Sequence, residues 1–300
     1  MNLPTIATLF MTNKCNFKCS FCLRQSKKIE TSPDMSIEAI EKLLESFPTI
    51  KGLCLAGFGE PLMCENLEEI LKFIKEKNVY CGLITNGSLL IDRFNILKKY
   101  SPNYISVSLN APTQELHEKI CHNKNQFIHI LEGIKLYIKE GFNIYLSYVC
   151  DKFNLIHIPE FLRLAKTLKV REVHLINILP HHIKDEQTKN EFLNRVLTYW
   201  ENESIDKIKT LPESNLITCY PTLIDPNNLK KWCRLAWSRI SINGNGSISI
   251  CNSIFSPKKE NGTIYDKNVW ENEYCTQFRK GFYGELPLAC KYCFRNFMEK

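Results

Sequence analysis

Three cysteines fall within eight residues, Cys15-Asn-Phe-Lys-Cys19-Ser-Phe-Cys22, spaced C-x3-C-x2-C. A tight loop of this kind can wrap three thiolates around one iron–sulfur cube. With only three ligands supplied, one iron keeps an open coordination site. Ferredoxin-type cubes use C-x2-C-x2-C spacing with a fourth cysteine. A zinc site would ask for a fourth Cys or His close by, and the first histidine in the chain is His117. A second group, Cys233, Cys251, Cys290 and Cys293, lies towards the C-terminal end in the pattern C-x17-C and C-x2-C. Four thiolates of this spacing fit either zinc or a 4Fe–4S cube.

The elements that must position these cysteines can be read from periodicity. Strand-like runs are Thr5–Met11, Gly52–Gly57, Val79–Thr85, Tyr104–Leu109, Asn143–Cys150 and Glu172–Ile178. Between them lie segments with apolar residues at 3.6-residue spacing: Ser36–Ser46, Asn66–Lys77, Leu89–Lys99, Phe127–Glu140 and Ile158–Leu168. Strands alternating with helices argue a parallel α/β sheet, because parallel strands need helical crossovers. Six such units are fewer than the eight of a closed barrel, so an open, partial barrel is expected. Asp185–Asn202 reads as one further helix. Arg239–Ile242 and Ser247–Cys251, joined by Asn243-Gly244-Asn245-Gly246, read as a β-hairpin. Val269–Phe282 reads as a short helix. A domain boundary is expected near residue 215, which gives a core of 1–183, a linking helix and linker of 184–217, and a C-terminal domain of 218–300.

The cysteine loop and the strand ends together resemble the radical S-adenosylmethionine (SAM) superfamily. The C-x3-C-x2-C loop follows the first strand, and Phe21 matches the aromatic that this family sets against the adenine. Gly57-Phe58-Gly59-Glu60-Pro61 after the second strand is similar to the family's Gly-Gly-Glu element, with Phe58 replacing one common glycine. Thr85-Asn86-Gly87 follows the third strand. Ser108 and Asn110 share one face of the fourth strand by period-two alternation. The resemblance implies a partial (β/α)6 barrel. It also implies a 4Fe–4S cluster on Cys15, Cys19 and Cys22, and SAM contacts from Phe21, Gly57, Gly59, Glu60, Asn86, Ser108 and Asn110. The implied chemistry is reductive cleavage of SAM to a 5′-deoxyadenosyl radical that takes hydrogen from a substrate. Glu60 reads as a structural residue of the SAM site rather than a base.

The second cysteine group resembles the twitch domain, a shortened SPASM domain, which implies an auxiliary 4Fe–4S cluster ligated fully by Cys233, Cys251, Cys290 and Cys293. A full SPASM domain would need about seven cysteines, and residues 233–300 hold five, counting Cys275. The arrangement is most similar to the aminocyclitol dehydrogenase type, which oxidises a secondary alcohol and passes an electron to the auxiliary cluster. The molybdopterin GTP cyclases are a poorer match, because they have three auxiliary cysteines and a Gly-Gly tail, whereas this chain ends Phe297-Met-Glu-Lys300. The alternatives are a peptide-modifying epimerase or crosslinking maturase, and a non-catalytic iron–sulfur electron carrier. No room is evident for a peptide-recognition domain. Asp151, His181 and His182 follow strand ends and are candidates to remove a proton. Cys150 is a candidate hydrogen donor for an epimerase.

Composition narrows the partners. Lys and Arg number 39 against 32 Asp and Glu, a net charge of +7 from scattered lysines, with no basic stripe for nucleic acid. Apolar runs fall short of a membrane span. The first 15 residues lack a basic segment followed by an apolar one, so a cytoplasmic, reducing location is expected. There 14 thiols point to metal or redox chemistry rather than disulfides. A small-molecule substrate and a reducing partner such as flavodoxin or ferredoxin complete the expectation.

Overall fold

The computed structural model describes residues 3–22, 24, 29–180, 183–229, 232–251 and 256–293. Six parallel strands follow the sequence periodicity: β1 (Ile6–Phe10), β2 (Gly52–Ala56), β3 (Tyr80–Thr85), β4 (Tyr104–Ser108), β5 (Ile144–Cys150) and β6 (Glu172–Asn177). They pair in chain order, with Ile6 beside Gly52 and Cys150 beside Asn177. The crossovers are α1 (Ile37–Ser46), α2 (Leu67–Glu76), α3 (Phe94–Tyr100), α4 (Gln114–Cys121), α5 (Phe127–Lys139) and α6 (Ile158–Thr167). Ser36 opens α1 by accepting from Ala39 N at 3.2 Å, the side-chain cap expected of a serine at that position.

Alternation divides each strand between two faces. Ala7, Leu9, Leu53, Leu55, Ile105, Val107, Leu146 and Tyr148 are buried and join Ile40, Leu43, Ile70, Ile74, Ile134 and Phe161 of the helices in one continuous core. The other face, with Thr8, Phe10, Cys54, Ala56, Tyr104 and Ser108, lines a lumen. This is the open, partial barrel that the sequence predicts.

Two segments depart from the periodicity reading. The expected helix over Asp185–Asn202 is broken into α7 (Glu186–Leu193) and α8 (Asn202–Lys209). Between them the chain turns and ends in a 3₁₀ turn (Tyr199–Glu201), and buried Asn177, at the end of β6, holds it at Leu197. Its Nδ2 donates to Leu197 O and Thr222 O, both at 2.9 Å, and its Oδ1 accepts from Leu197 N at 3.1 Å. The segment Leu89–Lys99 becomes helical only from Phe94.

A strand that the sequence reading lacked, β7 (Ile217–Cys219), pairs parallel with β6. After α9 (Leu235–Ser238), the hairpin is present as β8 (Arg239–Ile242) and β9 (Ser247–Ser249). β8 pairs parallel with β1, so the hairpin continues the barrel's own sheet. β10 (Lys258–Thr263) adds to β9, giving ten strands in the order β10-β9-β8-β1-β2-β3-β4-β5-β6-β7. The predicted helix over Val269–Phe282 is α10 (Glu273–Lys280) with a 3₁₀ turn on each side, and α11 (Leu288–Lys291) follows. Among the described residues no helix is long and apolar enough to cross a membrane.

Asn177 supplies the first test. Asn177→Leu keeps the side-chain size but strips three buried hydrogen bonds and leaves backbone groups of Leu197 and Thr222 without partners. Each such group costs about 1–3 kcal/mol. The variant is expected to lose about 3 kcal/mol or more, read as a lower urea midpoint at unchanged slope.

Candidate active site

The cysteine loop leaves the end of β1 and is fastened on every side. Met11 N donates to Ala56 O at 3.1 Å, and Met35 N donates to Met11 O at 2.8 Å. Thr12 Oγ1 donates to Asp34 Oδ1 at 2.6 Å. Phe17 is buried, its ring edge-on to His117 of α4 at 5.5 Å. Lys18 N and Ser20 N donate to Cys121 O and Ile120 O at 2.9 and 3.0 Å. Asn86 Nδ2 reaches both Asn16 Oδ1 at 2.9 Å and Cys15 Sγ at 3.9 Å. Arg24 donates to the carbonyls of Asn13 and Cys15.

The segment after β2 is built against this loop. At Gly59 a Cβ would lie 2.0 Å from Thr12 O and 2.7 Å from Lys14 O, so only glycine fits. Gly57 has φ +121°, which also favours glycine. Glu60 is almost fully buried. Its backbone N–H donates to Lys14 O at 2.7 Å. Its carboxylate accepts from Leu62 N at 3.0 Å, Thr85 Oγ1 at 2.6 Å and Asn86 N at 2.7 Å. Burial pushes its carboxyl pKa up while these donors pull it down, and burial wins. With three donors on it, Glu60 is a tie between loops, in line with its reading as structural.

The inner faces of β1 to β6 line a cavity of about 460 Å³ that runs from Ile6, Gly52 and Tyr80 at the strand starts to Phe21, Cys22, Gly57, Ile178 and Leu179 at the C-terminal end. Active sites of α/β barrels lie at that end. Arg239 is the one charged side chain among the described lining residues. Ser108 Oγ lies 3.3 Å from Ser147 Oγ. Asn110 is buried, and its Oδ1 accepts from Val149 N at 2.8 Å, so its amide ties β4 to β5.

Cys15, Cys19 and Cys22 are each partly exposed. Burial raises the Cys15 thiol to about 11 and also raises Cys22. Cys19 is raised first by its hydrogen bond to Cys121 and then by burial. Among the described residues no three His, Cys, Asp or Glu side chains stand close enough to hold one metal ion. The donor set nevertheless suits an iron–sulfur cube: three thiols lie on one short loop, and Cys22 lines the cavity.

The second group lies in one region of the C-terminal part. Cys290 and Cys293 are buried, and Cys233 and Cys251 half-buried. Burial pushes the Cys290 thiol up, and the thiols of Cys251, Cys293 and Cys233 push it further, so the four share one neighbourhood without standing within metal-ligand distance of a common point. Cys293 belongs to the apolar cluster that includes Ile178, and Cys251, Leu179 and Val149 pack against that cluster; Ile178, Leu179 and Val149 also line the cavity. Cys275 is buried in α10, beside Arg279.

The proton-transfer candidates are placed differently. Asp151 is buried, with Oδ2 held by Arg195 Nη2 at 2.6 Å and Oδ1 accepting from Phe153 N and Asn154 N. Cys150 is fully buried and shares the strand face of Leu146 and Tyr148, opposite Val149 on the lumen face. Its thiol is pushed well up by burial. Neither lines the cavity. His181 and His182 lie outside the described residues.

The radical SAM superfamily model matches residues 9–165, which is 52% of the chain. The chain belongs to the radical SAM superfamily. It is 31% identical over 172 residues to the Fe-coproporphyrin III synthase of Methanosarcina barkeri, covering 55% of this chain and 43% of that protein. It is 31% identical over 204 residues to a probable GTP 3′,8-cyclase of Saccharolobus islandicus, covering 66% and 65%. The chain thus spans about two fifths to two thirds of the length of these relatives. The structure of SuiB from Streptococcus suis bound to precursor peptide SuiA superposes with a TM-score of 0.70 at 15% identity, covering 100% of this chain and 72% of SuiB. Family membership implies a 4Fe–4S cluster and SAM.

Glu60 gives the test of this site. Glu60→Gln puts an amide NH₂ where an oxygen accepted, so one of three donors faces another donor. The expected cost is about 2–4 kcal/mol in chemical denaturation. SAM affinity should fall at least tenfold by calorimetry while the circular dichroism spectrum is kept. Unchanged stability and affinity would show that the tie is dispensable.

Proposed function

We propose that this chain is an oxidoreductase that abstracts hydrogen from a small, sugar- or cyclitol-like alcohol held in the barrel lumen, with an auxiliary 4Fe–4S cluster accepting the second electron. The cluster and SAM, when bound, supply the one-electron cleavage that ends in hydrogen abstraction. In this reading Cys15, Cys19 and Cys22 hold the first cluster and Phe21 stacks on the adenine. Gly57 and Gly59 let main chain approach the methionine end, which Glu60 and Asn86 orient. Ser108 offers a hydroxyl to SAM.

The observation that supports the oxidative reading is that the thiols of Cys251, Cys293 and Cys233 all act on Cys290, with Cys251 and Cys293 in the apolar cluster that also holds the cavity residue Ile178. Four thiolates complete a cube and leave no iron for substrate, which suits electron transfer rather than ligand binding. The lumen supports a neutral polyol: its polar lining is largely hydroxyl, from Thr8, Tyr104 and Ser108. Both sequence relatives carry names of small-molecule enzymes. The likeness to SuiB speaks for the fold alone. With Asp151 paired to Arg195, proton removal falls in this reading to His181 or His182.

Anaerobic reconstitution tests the proposal. Wild type is expected to bind about eight irons per chain and Cys290→Ala/Cys293→Ala about four, at four per cube. Candidate cyclitols should raise 5′-deoxyadenosine formation and yield a ketone. The double variant should still cleave SAM and give at least tenfold less ketone. Four irons in wild type would remove the auxiliary cluster. Stimulation by peptides instead of polyols would favour peptide modification, and absence of 5′-deoxyadenosine would favour an electron carrier.

A further inference from the structure

Cys121 has no part in either cysteine group, yet it is buried against one of the proposed ligands. It ends α4, with 1% of its surface exposed. The two backbone bonds from Lys18 N and Ser20 N to Cys121 O and Ile120 O fall on either side of Cys19. They hold the chain at Cys19 alongside the last turn of α4. Both side chains join the same apolar core, and the Cys121 thiol is the first cause that raises the Cys19 thiol. His117, one helical turn earlier on the same buried face, meets Phe17. The whole contact is a docked face between the cysteine loop and α4, and its centre is a pair of thiols. Disulfide formation needs two sulfurs whose backbones already lie close, because the bond tolerates only a narrow range of separations. The two backbone bonds on either side of Cys19 bring its main chain alongside that of Cys121, across 102 positions of sequence.

We propose that Cys121 is a resolving thiol for Cys19: in the cluster-free chain these two side chains form a disulfide under oxidising conditions. The bond takes Cys19 out of the ligand set and protects it from further oxidation until it is reduced. The consequence for cluster loading rests on the reading of Cys19 as a ligand, whereas the bond itself does not. The oxidant is a small-molecule disulfide such as oxidised glutathione. Cys19, the more exposed of the two, attacks one glutathione sulfur and expels the other glutathione as thiolate. Cys121 sulfur then attacks Cys19 sulfur and expels the second glutathione. Two protein thiols lose two electrons and two protons in total, and one oxidised glutathione becomes two reduced ones. Cys15 and Cys22 alone are left, two ligands where a SAM-binding cube takes three.

The test uses the full-length, metal-free chain treated anaerobically with oxidised glutathione. Free thiols are then alkylated and the digest is analysed by mass spectrometry. The expected main product links the peptides of Cys19 and Cys121. Iron and sulfide uptake at the first site should drop at least fivefold and return on reduction with dithiothreitol. Cys121→Ala should load iron like wild type when reduced, and after oxidation should carry glutathione on Cys19 instead of the internal link. Finding Cys19 paired with Cys15 or Cys22, or glutathionylated in wild type while Cys121 is alkylated, overturns the proposal. So does a folded Cys121→Ala that cannot load iron when reduced. Should Cys121→Ala not fold, the peptide map of wild type decides alone. Cys15→Ala separates the two readings: if it keeps full iron when reduced, the ligand assignment fails while the Cys19–Cys121 link is judged on its own map.

Discussion

The candidate site hangs on one buried carboxylate. Glu60 stands between the ends of β2 and β3, and its side chain accepts from Leu62 N in the turn that follows it, from Thr85 Oγ1 at the end of β3 and from Asn86 N just after it. Its own N–H holds Lys14 O in the cysteine loop. A buried charge is tolerable only when its lone pairs are met, so each of these loops is fixed by the requirement of the others. Asn86 passes the constraint on, because its side chain touches both Asn16 and Cys15 Sγ. The close seat of Gly59 against Thr12 and Lys14 belongs to the same arrangement. The Cys15 end of the cysteine loop is therefore positioned by a carboxylate that need not touch substrate.

The C-terminal hairpin reinforces this from the other side. A Cβ on Gly244, in the turn between β8 and β9, would lie 2.2 Å from Pro33 O and 2.5 Å from Asp34 O, so the turn rests on the segment that Asp34 anchors to Thr12. Lys259 N donates to Glu30 Oε2 at 2.9 Å. With β8 paired to β1, Cys251, two residues after β9, and the first cysteine loop, after β1, leave the same sheet. In the proposed function that matters, because electron transfer between a substrate radical and an auxiliary cluster depends on a fixed separation.

Much of this was legible in the sequence, for a physical reason. The six parallel strands are buried on their helix face, and the crossover helices carry strong apolar stripes, so local patterning alone finds them. The parts that patterning missed depend on distant partners. α4 buries His117 and Cys121 rather than an aliphatic stripe, so its periodicity is faint. β10, with the sequence Lys-Lys-Glu-Asn-Gly-Thr, is a strand only because β9 offers it a partner. The break before α8 follows from Asn177, some twenty residues away. The cysteine motifs and glycine turns were readable because each does chemistry or geometry that few other residues can. Asp151 and Cys150 show the opposite: position after a strand says little about which way a side chain faces. Asp151 is claimed by Arg195, and strict alternation puts Cys150 behind the sheet.

The lumen itself explains why the open space lies beside the cysteines. Near the N-terminal ends of the strands Tyr104 stacks on Tyr145 at 5.3 Å, and Tyr145 on His174 at 4.4 Å. Tyr104 also covers Gly82 so closely that a Cβ there would fall 2.0 Å from its ring. These rings form a floor. Above it, Ala56, Gly57, Ser108 and Ser147 are small, and the side chains that would fill a closed barrel are missing from those positions. A bulky residue at Gly82 would tilt Tyr104 upward into that space. On the β1–β3 side the lining still runs down to Ile6, Gly52 and Tyr80, so the cavity extends from the strand starts to Phe21 and Cys22.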